Sequence, residues 1–69
     1  KVNLNLLNSK MALYGDTNET LSKALDLSQQ RLSAKRNSTN GAEFTQSEIQ
    51  IIKERYNLTD QEVVEIFLS

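Results

Sequence analysis

Two segments in the C-terminal half share one grammar, and it constrains the fold more than any other feature of the chain. In FTQSEI, Thr45 and Glu48 stand as a capping box, with Phe44 and Ile49 at the positions of a hydrophobic staple. In LTDQEV, Thr59 and Glu62 repeat the box, with Leu58 and Val63 as the staple. The box supplies partners for amide groups that a first helical turn leaves unbonded, and the staple sets the angle at which the chain enters, so each segment predicts a helix start. The first of these helices continues through Ile52 to Tyr56, with Asn57 as a left-handed stop. The second runs to about Leu68.

The N-terminal half follows the same logic. Leu4, Leu7, Met11 and Tyr14 recur at spacings of three, four and three, an apolar stripe of helical period over Asn3 to Tyr14. Gly15 stands where a left-handed residue closes a helix, and Asp16 and Thr17 offer side-chain oxygens to cap the next one. A second helix is expected over about Asn18 to Leu25, burying Leu21 and Leu25, with the small Ser22 where another helix crosses closely. Asp26 breaks it in a left-handed conformation, Leu27 plugs inward and Ser28 caps a third helix, about Gln29 to Arg36. NSTNGAE, Asn37 to Glu43, is polar and turn-forming and reads as a loop reaching the helix entry at 44. No stretch alternates with a period of two. The expectation is an all-α, five-helix single domain over 1–69 with a core of Leu4, Leu7, Met11, Leu21, Leu25, Leu27, Leu32, Phe44, Ile49, Ile52, Tyr56, Leu58, Val63 and Ile66.

Composition narrows the function. A chain of 69 residues leaves little room for a catalytic cleft. The absence of cysteine excludes disulfides and thiolate metal sites, and the absence of histidine removes the commonest metal ligand and general base. These features argue against an enzyme, a metal or a cofactor. No apolar run approaches a membrane span or a signal-peptide core, which points to a soluble, cytoplasmic protein with no membrane partner. The chain begins at Lys1 rather than methionine, which suggests a fragment or trimmed chain. The net charge of -1 is low for a nucleic-acid partner but hides a split. Up to Arg36 six cations face three carboxylates, and from Asn37 onward two cations face six. A split of this kind suggests that the positive half meets a polyanion.

The third helix, QQRLSAKR, offers a core one large apolar side chain, Leu32, and is otherwise amide, hydroxyl or cation apart from the small Ala34. A helix held on one side and polar on the other can enter the major groove of B-DNA, where arginine suits guanine and glutamine suits adenine. Gln29, Gln30, Arg31 and Ser33 lie toward the N-terminal end, where base edges are read. Ser28, and Thr17 and Asn18 at the start of the second helix, are placed for phosphates. Lys35, Arg36, Asn37 and Asn40 stand where backbone contacts would follow.

Thr17 to Arg36 resembles the helix-turn-helix of the lambda-repressor-like family of phage repressors and Cro proteins. The runs GDTNETLSKALDLSQQRLSAK and EFTQSEIQIIKERYNLTDQEVVEIF look like short repressor-type proteins of phages and prophages of Gram-positive bacteria. The resemblance extends from about Leu4 to Phe67. It implies a five-helix DNA-binding domain whose second and third helices form the motif, acting as a homodimer on a two-fold, palindromic operator. It also places Gln29, Gln30, Arg31 and Ser33 at base-reading sites and Asn18 at a phosphate-contacting one. Ser22 stands where alanine is usual, Asp26 where glycine is usual and Arg36 at a position more often apolar, and NSTNG is longer than the usual Asn-Gly link.

Other features have plainer readings. Glu62 and Glu65, three apart, form a solvated face rather than an acid-base pair, because no pocket or histidine accompanies them. Tyr14 and Tyr56 are expected as partly buried core rather than base-stacking platforms. The fifth helix is apolar nearly all round, so Val64, Phe67 and Leu68 either finish the core or form a self-association patch. The alternative to DNA reading is a protein-interaction module, such as an antirepressor, antitoxin or regulator fragment.

Overall fold

Each α-helix of this chain starts on a side-chain cap, and that is why short segments of modest helix propensity hold their boundaries. The computed structural model describes residues 1–68 and is all-helical, with no strand among the described residues. Its five α-helices are α1 (Leu4–Leu13), α2 (Asn18–Ala24), α3 (Gln29–Arg36), α4 (Gln46–Arg55) and α5 (Asp60–Phe67). Asn3, Thr17, Ser28, Thr45 and Thr59 each accept a backbone amide from the first turn of the helix that follows. Thr45 with Glu48 and Thr59 with Glu62 close full capping boxes, as their spacing predicts. A third box joins Thr17 to Thr20.

Three helix ends share one geometry. Gly15, Asp26 and Asn57 take left-handed φ values of 68°, 57° and 49°. The amide of the next residue then donates to the carbonyl five residues back: Asp16 to Met11, Leu27 to Ser22 and Leu58 to Lys53, at 2.8 to 2.9 Å. Each bond satisfies a carbonyl that the last turn leaves open. The segment after α3 departs from the expected plain loop. Ser38 and Asn40 are left-handed as well, and Thr39–Gly41 forms one 3-10 turn.

The core brings together Leu7 and Met11 of α1, Leu21 and Leu25 of α2 and its end, Leu32 of α3, Ile52 and Tyr56 of α4 and its end, Leu58, and Ile66 and Phe67 of α5. Leu27, Phe44, Ile49 and Val63 pack partly buried against it, while Leu4 is half-buried. Two expectations change. Tyr14 is 45% exposed, because the apolar stripe of α1 reaches the core only at Leu7 and Met11, and its ring lies tilted against that of Tyr56, 5.4 Å away. Phe67 leaves the proposed surface patch: it is buried and meets Phe44 edge-to-face at 5.4 Å. The aromatic pair adds to the inward face that Val63 and Ile66 give α5.

Asp16, expected as a helix cap, has a different role. Its carboxylate takes Arg55 in a fork, Nε to Oδ2 at 2.6 Å and Nη2 to Oδ1 at 2.8 Å. It also accepts the hydroxyls of Tyr56 at 2.5 Å and Thr20 at 2.6 Å. The α1–α2 turn is thereby tied to the end of α4. Hydrogen bonding to the Arg55 guanidinium, aided by Thr20 and Tyr56, holds the Asp16 carboxyl well below the usual aspartate range. Burial and the same carboxylate push the Tyr56 phenol up. Because the folded form prefers ionised Asp16 more than the unfolded chain does, this stabilisation is fully present above the ordinary value of 3.8 and is lost as pH falls below it. Asp16→Asn should therefore lower unfolding free energy in urea by about 2 kcal/mol at pH 7. The gap to the wild type should narrow as titration proceeds below pH 3.8.

Candidate nucleic-acid interface

The α2–α3 pair is built as a unit. Ser22 of α2 is buried with its hydroxyl satisfied by the Glu19 carbonyl at 2.7 Å, so the small side chain fits without a stranded donor. Asn18 Nδ2 donates to the Gln29 carbonyl at 3.2 Å, pinning the start of α2 to the start of α3. Leu32 is fully buried and anchors α3 to the core.

The polar side of α3 faces outward. Gln29, Gln30 and Arg31 are exposed, and among the described residues their side chains make no hydrogen bond or ion pair. Ser33 is half-buried beside them. Gln30, Ser33 and Asn37 follow one another at intervals of three and four along a single stripe, with Asn37 Nδ2 donating to the Ser33 carbonyl at 2.9 Å. Thr17, Ser28 and Asn40 are exposed; Thr17 and Ser28 already serve as caps.

Two cations of α3 do not join this face. Lys35, expected at a phosphate, is buried, and its ammonium contacts both Glu48 oxygens at 2.7 and 2.8 Å. The reason is periodic: Lys35 lies three residues after Leu32, on the side of α3 that meets α4. Glu48 also accepts the Thr45 amide at 2.9 Å, so a single carboxylate caps α4 and holds α3. Burial alone would raise the Glu48 carboxyl; the Lys35 ammonium and the Thr45 amide outweigh it and hold it below its ordinary value. The resemblance put the inward position at 36, whereas the fold buries 35. Arg36 is only partly buried and turns toward α1 and α2, where Asn8 and Asn18 accept its terminal nitrogens.

The charge split is largely consumed inside the fold. Lys10–Glu62, Lys35–Glu48 and Arg55–Asp16 each pair a residue of the positive half with one of the negative half. Lys23–Glu19 and Lys53–Asp60 are local pairs. Among the described residues other than Lys1, the cations without a carboxylate partner are Arg31 and Arg36, both on α3. A locally positive helix thus replaces the broadly positive half that the sequence suggests.

Sequence reading missed three partners of this site. The spacing of Lys35 from Leu32 was a usable signal, but nothing in the chain links Arg55 to Asp16 or Arg36 to Asn8, pairs 39 and 28 residues apart. No helix is long and apolar enough to cross a membrane, and no metal-binding acidic cluster occurs among the described residues. Comparison with family models, curated proteins and solved structures gives no match.

Removing Lys35 leaves a buried carboxylate without its counter-charge, so Lys35→Met should destabilise the fold by about 3 kcal/mol in urea unfolding. Adding Glu48→Gln, which keeps an oxygen for the Thr45 amide, should recover most of the loss.

Proposed function

We propose that this protein is a sequence-specific, double-stranded DNA-binding transcriptional regulator that reads the major groove with α3. One observation carries the reading: Gln29, Gln30 and Arg31 stand exposed and unpartnered at the start of a helix whose opposite side is fixed by Leu32 and the Lys35–Glu48 pair. Side chains that must meet base edges need to be free of the protein while the backbone beneath them is held still. Arg31 suits guanine O6 and N7, and Gln29 and Gln30 suit adenine N6 and N7. Ser33, Asn37 and Asn40 flank them, with Ser28 and Thr17 at the adjoining helix starts.

The resemblance to lambda-repressor-like proteins supports a phage or prophage repressor acting as a homodimer on a palindromic operator. With few unpaired cations per copy, two copies on one duplex supply the phosphate contacts that one lacks. Val64 and Leu68, exposed at 46% and 69%, are the residues we assign to self-association. Phe67 is excluded by its burial.

A second reading, a protein-interaction module that keeps the fold without reading DNA, draws on one fact. Of the seven lysines and arginines other than Lys1, five are engaged in ion pairs, leaving little charge for a polyanion. Salt dependence separates the two, since phosphate binding weakens steeply as salt rises.

For the DNA reading, Arg31→Ala should cost about 1 to 3 kcal/mol on a duplex selected by the wild type. The loss on random duplexes should be smaller, because base contacts carry the discrimination. Equal affinity of variant and wild type on both duplexes removes α3 as the reader.

A further inference from the structure

Arg36 is a cation without a counter-charge at the meeting point of three helices. One terminal nitrogen, Nη1, donates to Asn18 Oδ1 of α2 at 3.0 Å, and the other, Nη2, donates to Asn8 Oδ1 of α1. Nε is closed off from solvent with no acceptor. Both partners are neutral amide oxygens, so the guanidinium is oriented but its charge is not compensated. Arg36 is only partly buried, and in lacking an opposite charge it differs from the buried Lys35, which meets Glu48, and from Asp16, which meets Arg55.

The donor count points the same way. A guanidinium carries five N–H groups, two on each terminal nitrogen. One N–H of each terminal nitrogen is taken by an asparagine, and the other remains. Each of these remaining N–H groups can donate a charge-assisted hydrogen bond to an oxygen of a phosphate. Arg36 also lies two turns after Gln29, on the edge of α3 that adjoins Asn18, beside the polar stripe rather than behind the core.

We infer that Arg36 binds a phosphodiester group of the DNA backbone, with Asn8 and Asn18 as positioning residues that hold its guanidinium in place before DNA arrives. This assignment rests on the DNA-binding reading of α3. It gives the chain one strong phosphate contact independent of base sequence, which a protein with so few unpaired cations needs.

Asn8→Asp tests it without dismantling the fold, because the new carboxylate neutralises Arg36 in place. Asn5→Asp, on an exposed position of the same helix, adds the same charge away from Arg36. Binding of the wild type, Asn8→Asp, Asn5→Asp and Arg36→Met is measured across a salt series on a selected and a random duplex of equal length. Urea unfolding checks each variant. Asn8→Asp and Arg36→Met should flatten the slope of log affinity against log salt by about 0.9, one phosphate's worth, equally on both duplexes. Asn5→Asp should keep the wild-type slope. A folded Asn8→Asp protein with an unaltered slope overturns the assignment while leaving DNA binding in place. A wild type that binds neither duplex overturns the DNA-binding reading, and the assignment with it.

Discussion

Two carboxylates hold α4 at its two ends, and through them α4 is tied to α3 and to the α1–α2 turn. At one end Glu48 caps α4 and grips Lys35 of α3; at the other Asp16, from the α1–α2 turn, grips Arg55 and Tyr56. A 69-residue chain cannot bury enough apolar surface to fix five short helices by packing alone. Here the desolvated charges are met by several hydrogen bonds each, which turns an expensive burial into a directional constraint. The result is a brace behind α2 and α3 rather than a site in itself.

That brace explains how α3 can be so polar and still be placed. Its inward side offers one large apolar residue, Leu32, and hydrophobic burial of a single leucine contributes only about 2 kcal/mol. The Lys35–Glu48 pair and the Asn18–Gln29 bond supply the orientation that this burial cannot. Gln29, Gln30 and Arg31 are thereby presented on a fixed backbone with no internal partner. Among the described residues other than Lys1, the ion pairs leave the unpaired cations, Arg31 and Arg36, on α3, so a low net charge and a locally positive helix are compatible.

Much of the fold was legible in the chain because its signals are local. Capping boxes at Thr45 and Thr59, the left-handed stops at Gly15, Asp26 and Asn57, and the spacing of Leu7 and Met11 act over three to five residues. The same holds for the exposed start of α3. Lys35 and Phe67 lie where local signals conflict or fall silent: a lysine reads as surface although its spacing from Leu32 points inward, and a phenylalanine on an all-round apolar helix gives no sign of which side it takes. The partner that settles Phe67 is Phe44, 23 residues earlier, and a lone sequence does not connect them.

By itself, then, the sequence determined where helices begin and end and which side of the third helix is polar, because caps, turns and residue types act within a helical turn. Only the tertiary structure decided which cations are neutralised and which remain, since that depends on contacts such as Asp16 with Arg55, Lys35 with Glu48 and Arg36 with Asn8. Charge is additive along a chain, but its availability to a partner is not. It is set by what lies within about 3 Å once the helices have packed.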